Sequence, residues 1–139
     1  DRDCILLTDN LEIIPIYREV KPGEIIENNE FLFHWNYDRR PKNFLKDSSF
    51  EYVDAEHFNN KLIIRNIASD DTFSPLGLSG SKKVNQYLTD NKVSSIDKKK
   101  IIAVCNNKDI VWVAGKQISN NYKLTKKTKL IAKLNFLRK

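Results

Sequence analysis

The chain has 139 residues, 40% of them hydrophobic, and a formal net charge of +6 at pH 7. This length favours one domain, and the positive charge indicates a partner such as nucleic acid. No apolar run approaches the roughly 20 residues of a membrane-spanning helix, and no signal-peptide pattern opens the chain, so a cytoplasmic protein without membrane contact is expected. The sequence contains no methionine, and we expect it to be a segment of a longer protein.

Charge is distributed unevenly along the chain. Residues 1–60 contain 7 Lys+Arg and 13 Asp+Glu, whereas residues 61–139 contain 17 Lys+Arg and 5 Asp+Glu. We therefore predict an acidic, β-rich segment over residues 1–60 that packs on a basic domain over residues 61–139. Positive charge this concentrated favours a polyanionic partner. The alternative is that the acidic part balances the lysines across a shared interface.

The first part consists of strand-like runs separated by turn residues. Asp9-Asn10 separates two β-rich runs and predicts a hairpin, and Pro15 within the second run predicts an edge strand. Asp54 is predicted to be the N-cap of a single helical turn. The predicted strands of this part are Cys4 to Leu7, Leu11 to Tyr17, Glu24 to Glu27, Phe31 to Tyr37 and Phe50 to Val53.

The most aromatic stretch is the run from Phe31 to Tyr37. Its alternation places four aromatic residues on one face, namely Phe31, Phe33, Trp35 and Tyr37. Such a stripe is typical of a buried sheet face, and the alternative is a surface that stacks RNA bases. The basic turn from Asp38 to Lys42 that follows fits either a phosphate contact or a solvated loop.

A predicted strand from Leu62 to Ile67 contains an arginine on an otherwise apolar face. Arg65 needs an anionic partner there, and Asp70 and Asp71 follow a few residues later. Adjacent aspartates also suit turns or an acid/base couple, but no other residue completes a catalytic set. We therefore predict a structural ion pair.

A glycine-containing loop leads from this strand into the main predicted helix, which spans about residues 82–90. Ser81 is the expected N-cap, so Lys82 and Lys83 fall in the first helical turn, where cations are electrostatically unfavourable. Glycine amides next to a helix start suit a bound phosphate, and the alternative is a capped helix with two solvated lysines. The loop is not a P-loop, because only two residues separate its glycines. Its shape-determining residues are Pro75, Gly77 and Gly80.

The remainder of the chain predicts a short helix, a hairpin and a last strand. Ser94 or Ser95 is expected to cap the helix over Ile96 to Lys100. The hairpin arms are apolar on both faces, so a helix should cover one side and a sheet the other. Its arms are Ile101 to Cys105 and Ile110 to Ala114, and later strands are predicted at Tyr122 to Thr125 and Lys129 to Leu137, where a helix is the alternative for the last run.

Together these elements predict an α+β fold, with a small mixed or antiparallel sheet, one main helix, a short second helix and a β-rich N-terminal segment. No metal site is predicted, because His34 and His57 have no second His or Cys at ligand spacing. Cys4 and Cys105 lie in apolar runs and are expected to be buried thiols, with a disulfide left open. No nucleophile–base arrangement is visible, so the chain alone is expected to be non-catalytic.

An ordered set of residues between Leu62 and Phe136 matches a known family. The set comprises Ile64-Arg65, Asp71-Thr72-Phe73, Pro75-Leu76-Gly77, Gly80-Ser81-Lys82-Lys83-Val84, Tyr87-Leu88, Ile110 to Ser119, Tyr122 to Thr125 and Thr128. On these residues, which cover a little over half of the chain, it resembles the C-terminal domain of bacterial tRNA(Ile)-lysidine synthetase. The first sixty residues look like the β-rich segment that precedes this domain.

The family's enzyme uses ATP to join lysine to the wobble cytidine of an isoleucine tRNA. Its catalysis belongs to an N-terminal domain with a Ser-Gly-Gly-x-Asp-Ser signature, which this sequence lacks. The resemblance thus implies a tRNA-binding module without cofactors of its own, ATP and magnesium being expected only on the catalytic domain. That domain and a second copy of the chain are further expected partners. The alternative is a module that docks on its catalytic domain or another protein without touching RNA.

Charge and resemblance together predict a set of tRNA phosphate contacts. The set is Gly80, Ser81, Lys82, Lys83, Lys98, Lys99, Lys100, Lys116, Lys123, Lys126 and Lys127, while Arg65, Asp71, Pro75 and Gly77 are assigned to structural turns and the ion pair. Two departures from the family bear on it. Asp70 stands where the family often has Gly, and an Arg-Pro pattern before the hairpin is missing. Lys99 or Lys100 is expected to replace that Arg as a point charge.

Overall fold

The computed structural model describes residues 14–139. The predicted strand from Cys4 to Leu7 and the turn at Asp9-Asn10 lie outside these residues. The strands of the described part are β1 Tyr17–Val20, β2 Ile25–Glu27, β3 Phe31–Asp38, β4 Phe50–Asp54, β5 Leu62–Asn66, β6 Thr72–Phe73, β7 Lys82–Lys83, β8 Ile102–Asn106, β9 Asp109–Val113, β10 Gln117–Ile118 and β11 Ile131–Arg138. Its helices are α1 Val84–Asp90, α2 Ser95–Lys98 and a 3-10 helix at Asn120–Tyr122. Neither α-helix in the part described has the length and apolar character needed to cross a membrane.

Two antiparallel sheets form the body of the fold. One has five strands in the order β1-β5-β8-β9-β10, and the other has four in the order β2-β3-β11-β4. Each sheet includes a strand from the other part of the sequence, because β1 pairs with β5 and β11 lies between β3 and β4. The predicted α+β class, with one main helix and a β-rich N-terminal segment, is confirmed.

The five-stranded sheet is covered on both faces, as its apolar hairpin predicts. One face packs against the four-stranded sheet, where Val104 and Trp112 meet Trp35 and Phe136 in one buried cluster. Residues on the other face pack with α1, forming a second cluster that contains Ala103, Cys105, Val113, Val84 and Leu88. Because strand side chains alternate between faces, two-sided burial requires a run without polar residues.

The aromatic stripe of β3 is core. Phe33 and Trp35 are 0% exposed and Phe31 is 2% exposed. The Trp35 indole N–H donates to Val20 O at 2.9 Å, which satisfies the polar atom of this buried ring. The base-stacking alternative for this face is therefore wrong.

Several local predictions fail because tertiary contacts decide the conformation. Asp54 ends β4 and accepts bonds from Glu56 N and Thr128 Oγ1, at 3.0 Å and 2.8 Å, and the residues after it form turns instead of a helix. The strand predicted over Leu11 to Tyr17 is wrong for its described part, because residues 14–16, including Pro15, are not strand. The edge strand β1 begins only at Tyr17. The strand predicted over Tyr122 to Thr125 is absent, because the buried Tyr122 ends the 3-10 helix and the next three residues have no regular secondary structure.

An arginine–aspartate pair closes the turn between β5 and β6. Arg65 binds Asp71, not Asp70, through two bonds of 2.8 Å and 2.9 Å. Asp71 also accepts a bond from the Ala68 N–H, and its carbonyl accepts one from the N–H of Val84, the first residue of α1. Burial by itself raises the pKa of the Asp71 carboxyl, but the bonds from Arg65 and Ala68 outweigh it and hold this pKa below its usual value.

Replacing Asp71 with Asn is expected to lower the free energy of unfolding by about 1–3 kcal/mol at pH 7, because Arg65 loses its charged partner. The lowered pKa means that the pair stabilises the fold above the unfolded value near 4 and is lost as the pH falls through the folded value. Urea unfolding at pH 7 and at progressively lower pH should therefore show the difference between D71N and wild type shrinking in acid. The matched control is Asp70→Asn, which should stay within about 0.5 kcal/mol of wild type. An equal loss of unfolding free energy in both variants would contradict the assignment of Asp71 as the partner of Arg65.

The thiol of Cys105 is 0% exposed, and burial raises its pKa to about 11. Thiolate is the reactive form, so this thiol should be nearly inert in the folded chain. In a Cys4→Ser variant, where Cys105 is the remaining thiol, we expect a disulfide reagent at pH 8 to react at least about 100-fold more slowly than after unfolding in guanidinium chloride. Rapid labelling of the folded variant would show that the β8 face under α1 opens readily.

Candidate nucleic-acid interface

The glycine-containing loop is exposed and is fixed by backbone contacts. Leu76 N donates to Ile118 O at 3.2 Å, and Asn120 N donates to Ser74 O at 2.6 Å. Gly77 N donates to the side-chain oxygen of Asn120 at 3.3 Å. The loop is therefore held against β10 and the 3-10 helix that follows it, and its outer surface remains open.

The backbone conformation of this loop accounts for Gly77 and Gly80. Gly77 occupies the third position of a turn closed by Leu78 N donating to Pro75 O at 3.0 Å, and its φ is +84°. That position of a type II turn requires a positive φ. Gly80 also has a φ of +84°, and a Cβ at either glycine would meet nothing within 4 Å. No other atom of the described residues therefore crowds either glycine, and the positive φ is the constraint that the fold itself places on them.

The predicted helix start after the loop is wrong. Lys82 and Lys83 form β7, which pairs with β6, and α1 begins at Val84. Ser81 does not cap the helix, and Lys83 at the N-cap position makes no side-chain cap bond. Local propensity placed the lysines in the helix, but pairing with Thr72 and Phe73 keeps them extended. The helix-terminus argument for a phosphate at Gly80 and Ser81 therefore fails, while the contacts themselves stay a prediction.

Two of the predicted lysines are engaged along α1. Lys82 pairs with Asp90, which also accepts a bond from Gln86 at 2.8 Å. Lys98 donates to the hydroxyl of Thr89, from the helix α2 that Ser94 caps through its bond from Asp97 N. Lys83 and Lys99 are exposed, and no ion pair involves them within residues 14–139.

A groove of about 800 Å³ brings several cations to one concave surface. It lies between the α1–α2 turn, the turn after β9 and the C-terminal end of β11. We call it the basic groove because its lining includes five cations, Lys92, Lys100, Lys116, Arg138 and Lys139, against two acids, Glu30 and Asp97.

Charges in the basic groove are only partly neutralised. Arg138 lies 3.9 Å from Glu30, and its guanidinium donates to Lys100 O at 2.9 Å. Lys139 pairs with Glu27 on β2. The remaining three lysines, which are Lys92, Lys100 and Lys116, form no ion pair within residues 14–139.

The groove combines predicted and unpredicted residues. Lys100 and Lys116 belong to the predicted phosphate set, whereas Lys92, Arg138 and Lys139 do not. Lys92 has a φ of +62° directly after the C-cap of α1, where its side chain enters the groove lining. The sequence signal that points to the other two is the basic end of the last predicted strand.

The other predicted lysines lie elsewhere. Lys126 and Lys127 occupy the turn between Thr125 and Thr128, where Arg40 donates to both threonine carbonyls at 2.9 Å and 3.1 Å. Thr128 in turn binds Asp54, which pairs with Ile131 at the start of β11. This turn therefore lies at the opposite end of β11 from Arg138, the two ends of the strand being roughly 23 Å apart.

Lys123 lines a smaller pocket with apolar residues of the β3–β4 connection, including Phe44 and Leu45. The eleven predicted contacts are thus divided among the α1 surface with its loop, the basic groove and the two sites beyond the start of β11. The groove brings together Lys100, which precedes β8, and Lys116, which follows β9. Lys82 of β7 and Lys98 of α2 also come together, at the neighbouring residues Asp90 and Thr89 of α1, but both are engaged there.

Among known proteins, no family model matches the chain. A tRNA(Ile)-lysidine synthase of Bacteroides thetaiotaomicron is 33% identical over 132 residues, covering 94% of this chain and 29% of that protein. The enzyme of the same name from Parabacteroides distasonis is 33% identical over 92 residues, covering 66% of this chain and 21% of that protein. A third enzyme of this name, from Clostridium tetani, is 32% identical over 89 residues, covering 64% of this chain and 19% of that protein.

The fold also matches a solved structure. The crystal structure of the TilS C-terminal domain superposes with a TM-score of 0.76 at 15% sequence identity, covering 90% of this chain and 98% of that one. The chain spans about a fifth to three tenths of the length of its curated relatives. Sequence and fold together identify it as a relative of the tRNA(Ile)-lysidine synthases that has the fold of the TilS C-terminal domain.

Proposed function

We propose that the chain is the tRNA-binding part of a tRNA(Ile)-lysidine synthase, and that it holds tRNA by phosphate contacts in the basic groove. In this proposal the complete enzyme joins lysine to the wobble cytidine with ATP, in a catalytic domain that also contacts this chain. The chain itself performs no chemical step. Its role is to hold the tRNA body so that the reacting base reaches the catalytic domain.

One observation supports the groove above the other basic sites. Three lysines that form no ion pair in the described part of the chain, Lys92, Lys100 and Lys116, face one concave surface with two further cations. Mutual repulsion makes this arrangement costly without an anion. A phosphate backbone supplies anions at regular spacing, and lysine binds phosphate as a point charge. Such contacts fix position and carry little sequence information.

The distribution of the other lysines fits a secondary role. Lys83, Lys99, Lys126 and Lys127 extend the positive surface away from the groove and would steer tRNA toward it. Lys82 is a weaker candidate than its neighbour, because Asp90 already holds its ammonium group.

Binding of tRNA should depend on the groove lysines more than on net charge. The double variant Lys100→Glu/Lys116→Glu is expected to weaken binding to an isoleucine tRNA transcript at least about 10-fold in fluorescence anisotropy, because two phosphate contacts become repulsive. The slope of log affinity against log salt should fall in magnitude by about 1.4–1.8, or 0.7–0.9 for each contact.

The control for this experiment changes the charge equally at exposed sites away from the groove. Lys108 lies in the β8–β9 turn and Lys21 follows β1, so Lys21→Glu/Lys108→Glu has the same net charge. It should stay within about threefold of wild type. Equal weakening by both double variants would mean that binding follows net charge alone, and absence of binding by wild type would refute the proposal.

A further inference from the structure

The outer face of the four-stranded sheet is open to solvent and differs in composition from its buried face. The buried face carries Phe33, Trp35 and Leu134, all 0% exposed. Apart from an apolar margin, the outer face is formed by two half-buried aromatic rings and polar side chains able to bind a nucleotide. These are His34, Asn36, Phe50, Tyr52, Lys133 and Asn135.

Strand register places these side chains together. Lys133 on β11 lies directly opposite Asn36 on β3 and Tyr52 on β4. Two residues further, Asn135 lies opposite His34 and Phe50. Direct cross-strand neighbours share a face, and strands are about 4.8 Å apart, so each row extends about 10 Å across three strands. This is enough room for one or two nucleotides.

The two rings are arranged around the lysine. Their centroids are 6.0 Å apart with an angle of 86° between the planes. The Lys133 ammonium lies 4.5 Å from the Phe50 centroid and 5.6 Å from that of Tyr52. This is a cation–π contact, and within residues 14–139 Lys133 forms no ion pair.

Unpaired RNA offers a complementary partner both to the two aromatic rings and to the Lys133 ammonium group. A base stacks on an aromatic ring, and the adjacent phosphate attracts an ammonium group. The amide of Asn135 suits a base edge, as does the side-chain NH2 group of Asn36, whose Oδ1 accepts a bond from Tyr37 N at 2.8 Å. A duplex cannot use this face in the same way, because its bases are already stacked.

The outer face meets the basic groove at Leu137, which lies opposite Leu32 on this face and also lines the groove. Ser48 and Ser49 line the groove, and Phe50 follows them directly in the chain. A single RNA strand that leaves the groove at this point would reach the rings of Phe50 and Tyr52. This continuity favours RNA over a protein ligand for the outer face.

We propose that the outer face of the four-stranded sheet binds single-stranded RNA, with a base stacked on Phe50 or Tyr52 and Lys133 moved from the rings to a phosphate. This rests on the proposed function only in taking RNA as the partner. The basic groove holds phosphates of any RNA, whereas this face selects unpaired nucleotides.

The test compares two fluorescein-labelled RNAs, a mixed-sequence heptanucleotide and a blunt duplex of twelve base pairs. Phe50→Leu/Tyr52→Leu keeps apolar bulk and removes both ring faces. We expect its dissociation constant for the heptanucleotide to rise about 5- to 100-fold, and that for the duplex to stay within about twofold. The control is Ile25→Ala, an exposed residue opposite His34 on the same face, which should leave both unchanged. If urea unfolding shows that the double variant does not fold, Phe50→Leu alone is used, with the heptanucleotide-induced shifts of the Asn135 side-chain amide as a second readout.

The outcomes separate this site from the groove. Failure of wild type to bind the heptanucleotide, or equal binding by the Leu variant, overturns the outer-face proposal while duplex binding can still support the groove. Loss of duplex binding in Lys100→Glu/Lys116→Glu with ring-dependent heptanucleotide binding intact supports both sites as separate. If light scattering shows a wild-type dimer that the Leu variant loses, the face belongs to a second copy of the chain and the proposal is wrong.

Discussion

The structure depends on the burial of the β8–β9 hairpin on both of its faces. Val104 and Trp112 point to the four-stranded sheet, while Ala103, Cys105 and Val113 point to α1. A strand pair buried in this way must be apolar throughout, and it can only form once both covering layers are present. The hairpin is therefore the element that joins the two sheets and the helix into one core.

An irregularity in the hairpin adjusts this packing. Cys105 lies opposite Ile110, but Val104 lies opposite Trp112, so Val111 is an extra residue on β9. A bulge of this kind leaves one residue unpaired and increases local twist. Here both Val111 and Trp112 join the cluster under the four-stranded sheet, which the strict alternation of a regular strand would not permit.

The basic groove is a consequence of the same core. Lys100 lies two residues before β8, Lys116 lies three residues after β9 and Arg138 ends β11, so each of these cations lies at or near an end of a core strand. Strand ends are where charged side chains remain solvated while the backbone beside them is fixed. The two sheets therefore bring together charges that are far apart in sequence, with little freedom in their relative positions.

The outer face of the four-stranded sheet has a related origin. Because strand side chains alternate, burying Phe31, Phe33 and Trp35 leaves His34 and Asn36 on the open side of β3. On β11 the same alternation exposes Lys133 and Asn135 beside the rings of β4. Burying an aromatic stripe on one face of the sheet thus leaves an opposite face that is open to solvent. The side chains on that open face are free to vary with the ligand that binds there.

The sequence by itself determined the α+β class, most strands, the buried aromatic stripe and the two-sided cover of the hairpin. These follow from periodicity and turn residues, which act locally. It also placed an ion pair at Arg65. The residue types alone offered both Asp70 and Asp71, the resemblance assigned Asp71, and the path of the chain after β5 gives Arg65 its two bonds to Asp71.

Tertiary structure alone decided that Lys82 and Lys83 are strand residues, since pairing with β6 outweighs their helix propensity. It also decided which lysines meet. Charge along the chain shows how many cations are present, but it does not contain the strand order and register. These bring Lys92, Lys100, Lys116, Arg138 and Lys139 to one groove and leave Lys126 and Lys127 at the opposite end of β11 from Arg138.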